Sequence, residues 1–255
     1  MKKLLFLVLV GMSLFANKTN KECLNMNYKT CYEINDKNLE SKCDNKDYHA
    51  CFLLTLIELD NNCNKNDYES CHKLANEYES DWKFKKAIEL HTKACNGGYF
   101  QSCDFLGFFY EHARGVKRDI AKAIHFYKIA CDNKEYLACE SIGYIYSEGF
   151  WLMQNHKKAI EYYKKACEYN KGRCEKLAWQ YEKIDDFKNA IKAYEISCDA
   201  KNNNACLRLG IMYENGENIE QDINMAKKYY SLTCRYKGGV TCDKLEMLNQ
   251  QEIIK

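Results

Sequence analysis

The chain contains no proline and only twelve glycines among its 255 residues. Without proline, the residue that most abruptly ends a helix, helical runs are interrupted only by glycine and short polar turns, which fits a chain that is mostly helix. Runs of alternating apolar and polar residues that would mark strands are missing too. No sign of charge dominates: Lys and Arg number 38 against 36 Asp and Glu, and without Lys2 and Lys3 the balance is 36 to 36. That balance gives no case for a nucleic-acid partner. The apolar run Leu4–Val10 is far shorter than the roughly 20 residues that cross a bilayer. A phosphate-cradling glycine loop is absent, since Gly97-Gly98 and Gly238-Gly239 sit between cysteines and read as turns. His49, His72, His91, His112, His125 and His156 are scattered without the close spacing of a metal site, so neither metal nor other cofactor is expected.

What is abundant is cysteine. Sixteen cysteines form eight close pairs, seven spaced C-x7-C and one C-x6-C: Cys23 with Cys31, Cys43 with Cys51, Cys63 with Cys71, Cys95 with Cys103, Cys131 with Cys139, Cys167 with Cys174, Cys198 with Cys206 and Cys234 with Cys242. Eight residues along one straight helix would span about 12 Å. A disulfide needs Cα atoms roughly 4.4 to 6.8 Å apart, so a turn must separate the members of each pair. Upstream, Lys2 and Lys3 precede the Leu4–Val10 run, and small or apolar residues continue to Ala16, the pattern of a secretory signal cleaved near Ala16. No cysteine lies beside Ala16 to carry a lipid, so the mature chain has no membrane attachment. Export places the cysteines in an oxidising compartment, periplasmic or extracellular, where an even count reads as disulfides.

From Cys71 onward the second cysteine of one pair and the first of the next are separated by 24, 28, 28, 24 and 28 residues, one repeat with an optional four-residue insertion. Three residues after each second cysteine stand Leu74, Leu106, Ile142, Leu177 and Leu209, each followed by Ala75, Gly107, Gly143, Ala178 or Gly210. Four residues beyond the Leu or Ile come Tyr78, Tyr110, Tyr146, Tyr181 and Tyr213. Past a variable loop sit Ala87, Ala123, Ala159, Ala190 and Ala226, followed four later by His91, Tyr127, Tyr163, Tyr194 and Tyr230. The spacing predicts two amphipathic helices per unit, with these columns as core. Asp119, Asn155, Asp186 and Asp222 stand where they can cap the second helix.

Units such as Ala205-Cys206-Leu207-Arg208-Leu209-Gly210-Ile211-Met212-Tyr213 and Lys157-Lys158-Ala159-Ile160-Glu161-Tyr162-Tyr163-Lys164-Lys165-Ala166-Cys167 resemble Sel1-like repeats. With its paired cysteines the chain is similar to the Helicobacter cysteine-rich protein family, over roughly Tyr68 to Leu248. The resemblance implies an all-α, α/α superhelical solenoid of tetratricopeptide-related hairpins with each local cysteine pair oxidised. The expected organisation is a signal peptide at 1–16, short cysteine-paired helical units at 17–67, a repeat solenoid at 68–233 and a C-terminal capping helix at 234–255. The short units recur every 20 residues, which leaves room for one short helix between pairs, and read either as a degenerate cap or as a compact helical array.

Stacked hairpins offer an extended concave surface of the kind repeat proteins use for partners. Two residues after each aligned Leu or Ile lie Asn76, Phe108, Tyr144, Trp179 and Ile211, a column that reads either as a contact stripe or as packing between hairpins. Acids flank it at Asp104, Glu140 and Glu175, with Glu79, Glu111, Glu182 and Glu214 at a second position. Together they suggest a groove for an extended protein or peptide segment of basic or amine-bearing character. The loop Phe150-Trp151-Leu152-Met153 is either an exposed partner-binding tip or folded onto its own repeat. The family resemblance also implies penicillin binding or β-lactamase activity, with a β-lactam or cell-wall peptide as ligand. A serine β-lactamase needs S-x-x-K together with S-D-N and K-T-G elements. Ser70-Cys71-His72-Lys73 and Ser80-Asp81-Trp82-Lys83 match the first, the other two are missing, and no catalytic residue is assigned.

Overall fold

The computed structural model describes residues 39–237 and 240–253. The expected leader at 1–16 lies outside the described residues. So does the expected disulfide between Cys23 and Cys31: neither Cys23 nor Cys31 is among the described residues, and the pairing expected for Cys31 stands on the sequence alone. Among those described there are thirteen α-helices, one 3-10 turn and no strand. They fall into two compact units, Met1–Gly98 and Tyr99–Lys255.

In the first unit, α1 (Leu39–Asp44), α2 (Tyr48–Asn64), α3 (Tyr68–Ser80) and α4 (Phe84–Asn96) pack each on the next. Both Cys51 and Cys63 lie on α2, so the twelve-residue interval between them is one helix and not a hairpin. The second unit holds α5 (Phe100–His112), α6 (Ile120–Asp132), α7 (Tyr136–Glu148), α8 (His156–Tyr169), α9 (Cys174–Glu182), α10 (Phe187–Asp199), α11 (Asn203–Asn215), α12 (Ile223–Lys237) and α13 (Val240–Ile253). Here α5/α6, α7/α8, α9/α10 and α11/α12 are the repeat hairpins, stacked in order as an α/α solenoid, with α13 packed on α12.

The hairpins form for reasons visible in one of them. Asp119 stands in extended backbone just before α6, and its carboxylate accepts the free backbone N–H of Lys122 at 2.9 Å. Asn155, Asp186 and Asp222 do the same for Lys158, Asn189 and Met225. Ala123, Tyr127, Ala130 and Cys131 then recur on one face of α6 and are buried. The alanine column is fully buried at Ala87, Ala123, Ala159, Ala190 and Ala226. One turn along the same face, the rings of Tyr127, Tyr163 and Tyr230 lie directly on the backbone of Gly107, Gly143 and Gly210, where a β-carbon would come within 2.5, 2.8 and 2.5 Å of ring atoms. At these three positions glycine allows the close approach, while Ala75 and Ala178 occupy the same register in the hairpins that lack the loop insertion.

Where they are fully described within a unit, the C-x7-C segments are tight turns between consecutive helices. In the α6–α7 turn Lys134 takes the left-handed conformation, φ 71°, its N–H donating to the carbonyl of Cys131 while that of Glu135 donates to Ala130. Lys46, Asn66 and Lys201 repeat the conformation at the same offset from Cys43, Cys63 and Cys198. The turn brings the cysteines together, with Cα separations of 4.7 Å for Cys43–Cys51, 4.6 Å for Cys63–Cys71, and 4.8 Å for both Cys131–Cys139 and Cys198–Cys206. Cys234–Cys242 follows at 5.0 Å, and Cys95 and Cys103 are each disulfide-bonded. The one-residue-shorter pair Cys167–Cys174 has no left-handed residue; a 3-10 turn at Lys171–Arg173, capped by Asn170, closes it at 4.4 Å.

Candidate partner-binding face

Along each first helix three positions spaced i, i+4, i+7 share a face. On α5 they are Asp104, Phe108 and Glu111; on α7, Glu140, Tyr144 and Ser147; on α9, Glu175, Trp179 and Glu182; on α11, Leu207, Ile211 and Glu214. The structure treats the members differently. Tyr144 is 47 % exposed and Trp179 37 %, although the Lys183 ammonium lies over the Trp179 ring at 3.7 Å. Phe108 is half-buried, against the His112 ring at 4.3 Å and the Arg114 guanidinium at 5.0 Å. Ile211 packs into the C-terminal core with Ala226, Tyr230 and Leu248. In the other unit Asn76 is half-buried, its amide 3.2 Å from the His72 ring, beside the fully buried His91, whose pKa burial lowers to about 3, with His72 adding.

The second acidic position is not free groove lining. Behind it the column tyrosines reach across from the second helix: Tyr127 donates to Glu111 at 2.7 Å and Tyr230 to Glu214. In the third and fourth of these hairpins a cation from the next first helix completes the arrangement. Arg208 donates to Glu182 at 3.0 Å beside Tyr194, and Lys244 to Glu214 at 2.8 Å beside Tyr230. In the α7/α8 hairpin the acid is replaced by Ser147, which donates to buried Gln180, whose amide in turn meets His156. Burial pushes the hydroxyl pKa of Tyr127, Tyr163, Tyr194 and Tyr230 upward, so these remain neutral donors.

Two of the three acids at the first position have partners as well. Glu140 faces Arg173 at 3.3 Å, and Glu175 accepts the Asn202 amide at 2.8 Å. Asp104 is the exception: among the described residues its carboxylate has no hydrogen-bond or ion-pair partner. Burial, with the charges of Glu135 and Glu111 adding, raises its pKa from 3.8 to about 7.

The loop at Phe150–Met153 stays at the surface, Phe150 67 % and Met153 91 % exposed, with the Trp151 ring under the Arg118 guanidinium at 4.1 Å. The two S-x-x-K matches are not nucleophile–base pairs. Ser70 donates to the capping carboxylate of Asp67 at 2.6 Å, while Lys73 pairs with Glu69 at 2.7 Å. Ser80 donates to the Asn76 carbonyl, and Lys83 lies near Asp81.

Hairpins of this length, stacked in order and capped alike, define the α/α repeat class. The family model for the Sel1 repeat matches residues 69–99, 101–134, 137–168 and 203–235, about half of the chain, and the protein belongs to that family. The unmatched interval 169–202 carries Cys174, the second member of the C-x6-C pair, and a hairpin without the loop insertion, yet α9 and α10 stack like the others. No curated protein matches. Among solved structures, the chain is similar to a Sel1 repeat protein from Oxalobacter formigenes at 20% identity, over 71% of this chain and 84% of that one, with a TM-score of 0.55. It is also similar to a protective antigen of uropathogenic Escherichia coli strains displaying an SLR fold, at 18% identity and a TM-score of 0.65, covering 89% of this chain and 52% of that one. The chain thus spans about half the length of the antigen, and at such identity both likenesses concern the fold.

Proposed function

We propose that the protein is an exported, disulfide-stapled Sel1-repeat scaffold that binds an extended protein or peptide segment across the first helices of residues 99–255. The observation that carries this reading is the pair Tyr144 and Trp179, large aromatics left exposed at the same register position of neighbouring hairpins. Aromatic side chains that a partner can desolvate supply much of the energy of protein recognition. Export is supported by the leader pattern at 1–16 and by oxidised cysteines at every described turn between hairpins, which belong to a periplasmic or extracellular setting. The regular cysteine pairs support a place near the Helicobacter cysteine-rich proteins. Of the acids along the stripe, Asp104, without a hydrogen-bond or ion-pair partner among the described residues, favours a basic or amine-bearing segment over an acidic one.

The test is selection of a random-peptide library on the oxidised protein beside a folded Tyr144→Ala/Trp179→Ala variant. Sequences enriched on the first and lost on the second support the reading, whereas equal enrichment would place binding elsewhere. Nitrocefin turnover in proportion to protein would replace the scaffold reading with the hydrolase activity that the Helicobacter resemblance implies.

A further inference from the structure

From α7 to α13 one register position repeats and is basic at all but its first occurrence. The residue just before each aligned Leu or Ile is Ser141 on α7, Lys176 on α9, Arg208 on α11 and Lys244 on α13. Arg208 and Lys244 reach back to the preceding hairpin and end on Glu182 and Glu214, each beside the column tyrosine. Glu111 and Tyr127 form the same cradle in the α5/α6 hairpin, with the tyrosine donating to the carboxylate in the same way. There the residue at the same position is Ser141, which brings no charge.

The cradle is also more acidic than its counterparts. Asp104 shares the α5 face with Glu111, and its partly buried carboxylate acts on the same tyrosine, while Glu135 faces it from the start of α7. His112, half exposed, has its ring nitrogen 3.9 Å from Glu111 and 3.2 Å from the Phe108 carbonyl. Arg118 donates to the backbone carbonyl of Glu111 and lies over Trp151. Two carboxylates and a phenol fall short of the six to eight oxygens calcium takes, and among the described residues no three acids, histidines or cysteines converge to hold a metal. An ammonium or guanidinium needs less, as Glu182 and Glu214 show.

We propose that the Asp104–Glu111–Tyr127 cradle receives a lysine or arginine side chain of the bound partner, in the place that Arg208 and Lys244 fill in the later hairpins. This rests on the peptide-binding reading above and fixes where along the stripe the partner's positive charge sits. Tyr144, on the next helix, is then the aromatic wall available to the residue beside it.

The experiment compares the oxidised wild-type protein with Ser141→Arg, which supplies the cation from within. Random-peptide selection on the wild type should enrich lysine- or arginine-bearing sequences. A selected peptide should bind Ser141→Arg about tenfold or more weakly, and should lose as much when its basic residue becomes norleucine, in line with a close charge pair. The Asp104 carboxyl, followed by carbon-detected NMR, should titrate well below pH 7 in Ser141→Arg, showing that the new guanidinium has entered the cradle. An unshifted Asp104 would refute the equivalence of the register positions and with it the proposal. Selected peptides without a basic residue, or bound equally by Ser141→Arg, would overturn the cradle assignment while leaving the groove intact. Displacement of a selected peptide by equimolar calcium chloride would reassign the cradle to a metal. A library enriched on neither protein would remove the groove reading itself.

Discussion

Replacing Asp104 with asparagine is expected to stabilise the protein at neutral and alkaline pH. The fold raises this carboxyl from 3.8 to about 7, chiefly by burial, with Glu135 and Glu111 adding. The native state therefore holds the proton more tightly than the unfolded chain does. Stability that depends on it is fully present below about pH 4, declines as pH rises toward 7, and is level above that. A shift of roughly three units corresponds to about 4 kcal/mol at 1.36 kcal/mol per unit. That figure is a ceiling, because the side chain is partly exposed and solvent screens it; an observed difference of about 1–3 kcal/mol is expected. Asparagine keeps the size of the protonated acid and cannot ionise, so the comparison isolates this carboxyl. Urea unfolding of the two oxidised proteins at pH 4 and pH 8 reads the effect as a shift in midpoint at constant slope. The proteins should nearly coincide at pH 4, and Asp104→Asn should unfold later at pH 8. A gap of the same size at both pH values, or no gap at pH 8, would refute the argument that this carboxylate is uncompensated.

Other perturbations test the packing. Gly143→Ala places a methyl 2.8 Å from the buried Tyr163 ring; overpacking of about 1–3 kcal/mol outweighs a helix-propensity gain of about 1 kcal/mol, so the urea midpoint should fall, and a rise would show that the ring can retreat. Replacing Cys131 and Cys139 together by alanine should cost about 2.6 kcal/mol in the chain-entropy model for a nine-residue loop; a loss near zero would mean that the Lys134 turn already holds the ends together in the unfolded chain. Asp119→Ala removes the cap of α6 and should cost about 0.5–2 kcal/mol, visible as faster amide exchange at Lys122 if the cap is what protects it.

Much of the fold was legible because its determinants are local. Cysteines eight apart require a turn, alanine and tyrosine four apart define a helix face, and Asp119 or Asn155 before a helical run is a cap whatever packs above it. The candidate face was legible only in part. Tyr144 and Trp179 are exposed, but Ile211, in the same column, is consumed by α13, because the column runs into the end of the stack. Glu182 and Glu214 read as groove lining, yet they anchor Tyr194's neighbour Arg208 and the Tyr230 hydroxyl. The signal was in the sequence, since Arg208 and Lys244 stand at one offset, but a side chain that crosses from one hairpin to the previous one is apparent only once the stacking register is known. The same holds for the buried Ser147–Gln180–His156 chain, whose members are 33 and 24 residues apart.

The placement of the disulfides has a consequence for proteolysis. Each staple measured above closes a turn between consecutive helices, so a peptide bond cut inside such a turn leaves both halves covalently joined until a reductant arrives. The Phe150–Met153 loop lies within a hairpin, between Cys139, which is bonded backward to Cys131, and Cys167, which is bonded forward to Cys174. A protease that cleaves at the exposed Met153 would therefore divide the chain where no described disulfide bridges the cut, and only noncovalent contacts, among them the packing of α7 against α8 and the Ser147–Gln180 and Glu140–Arg173 pairs, would keep the two fragments together. The most exposed apolar segment of the second unit is thus also a place where an oxidising environment does not safeguard the chain.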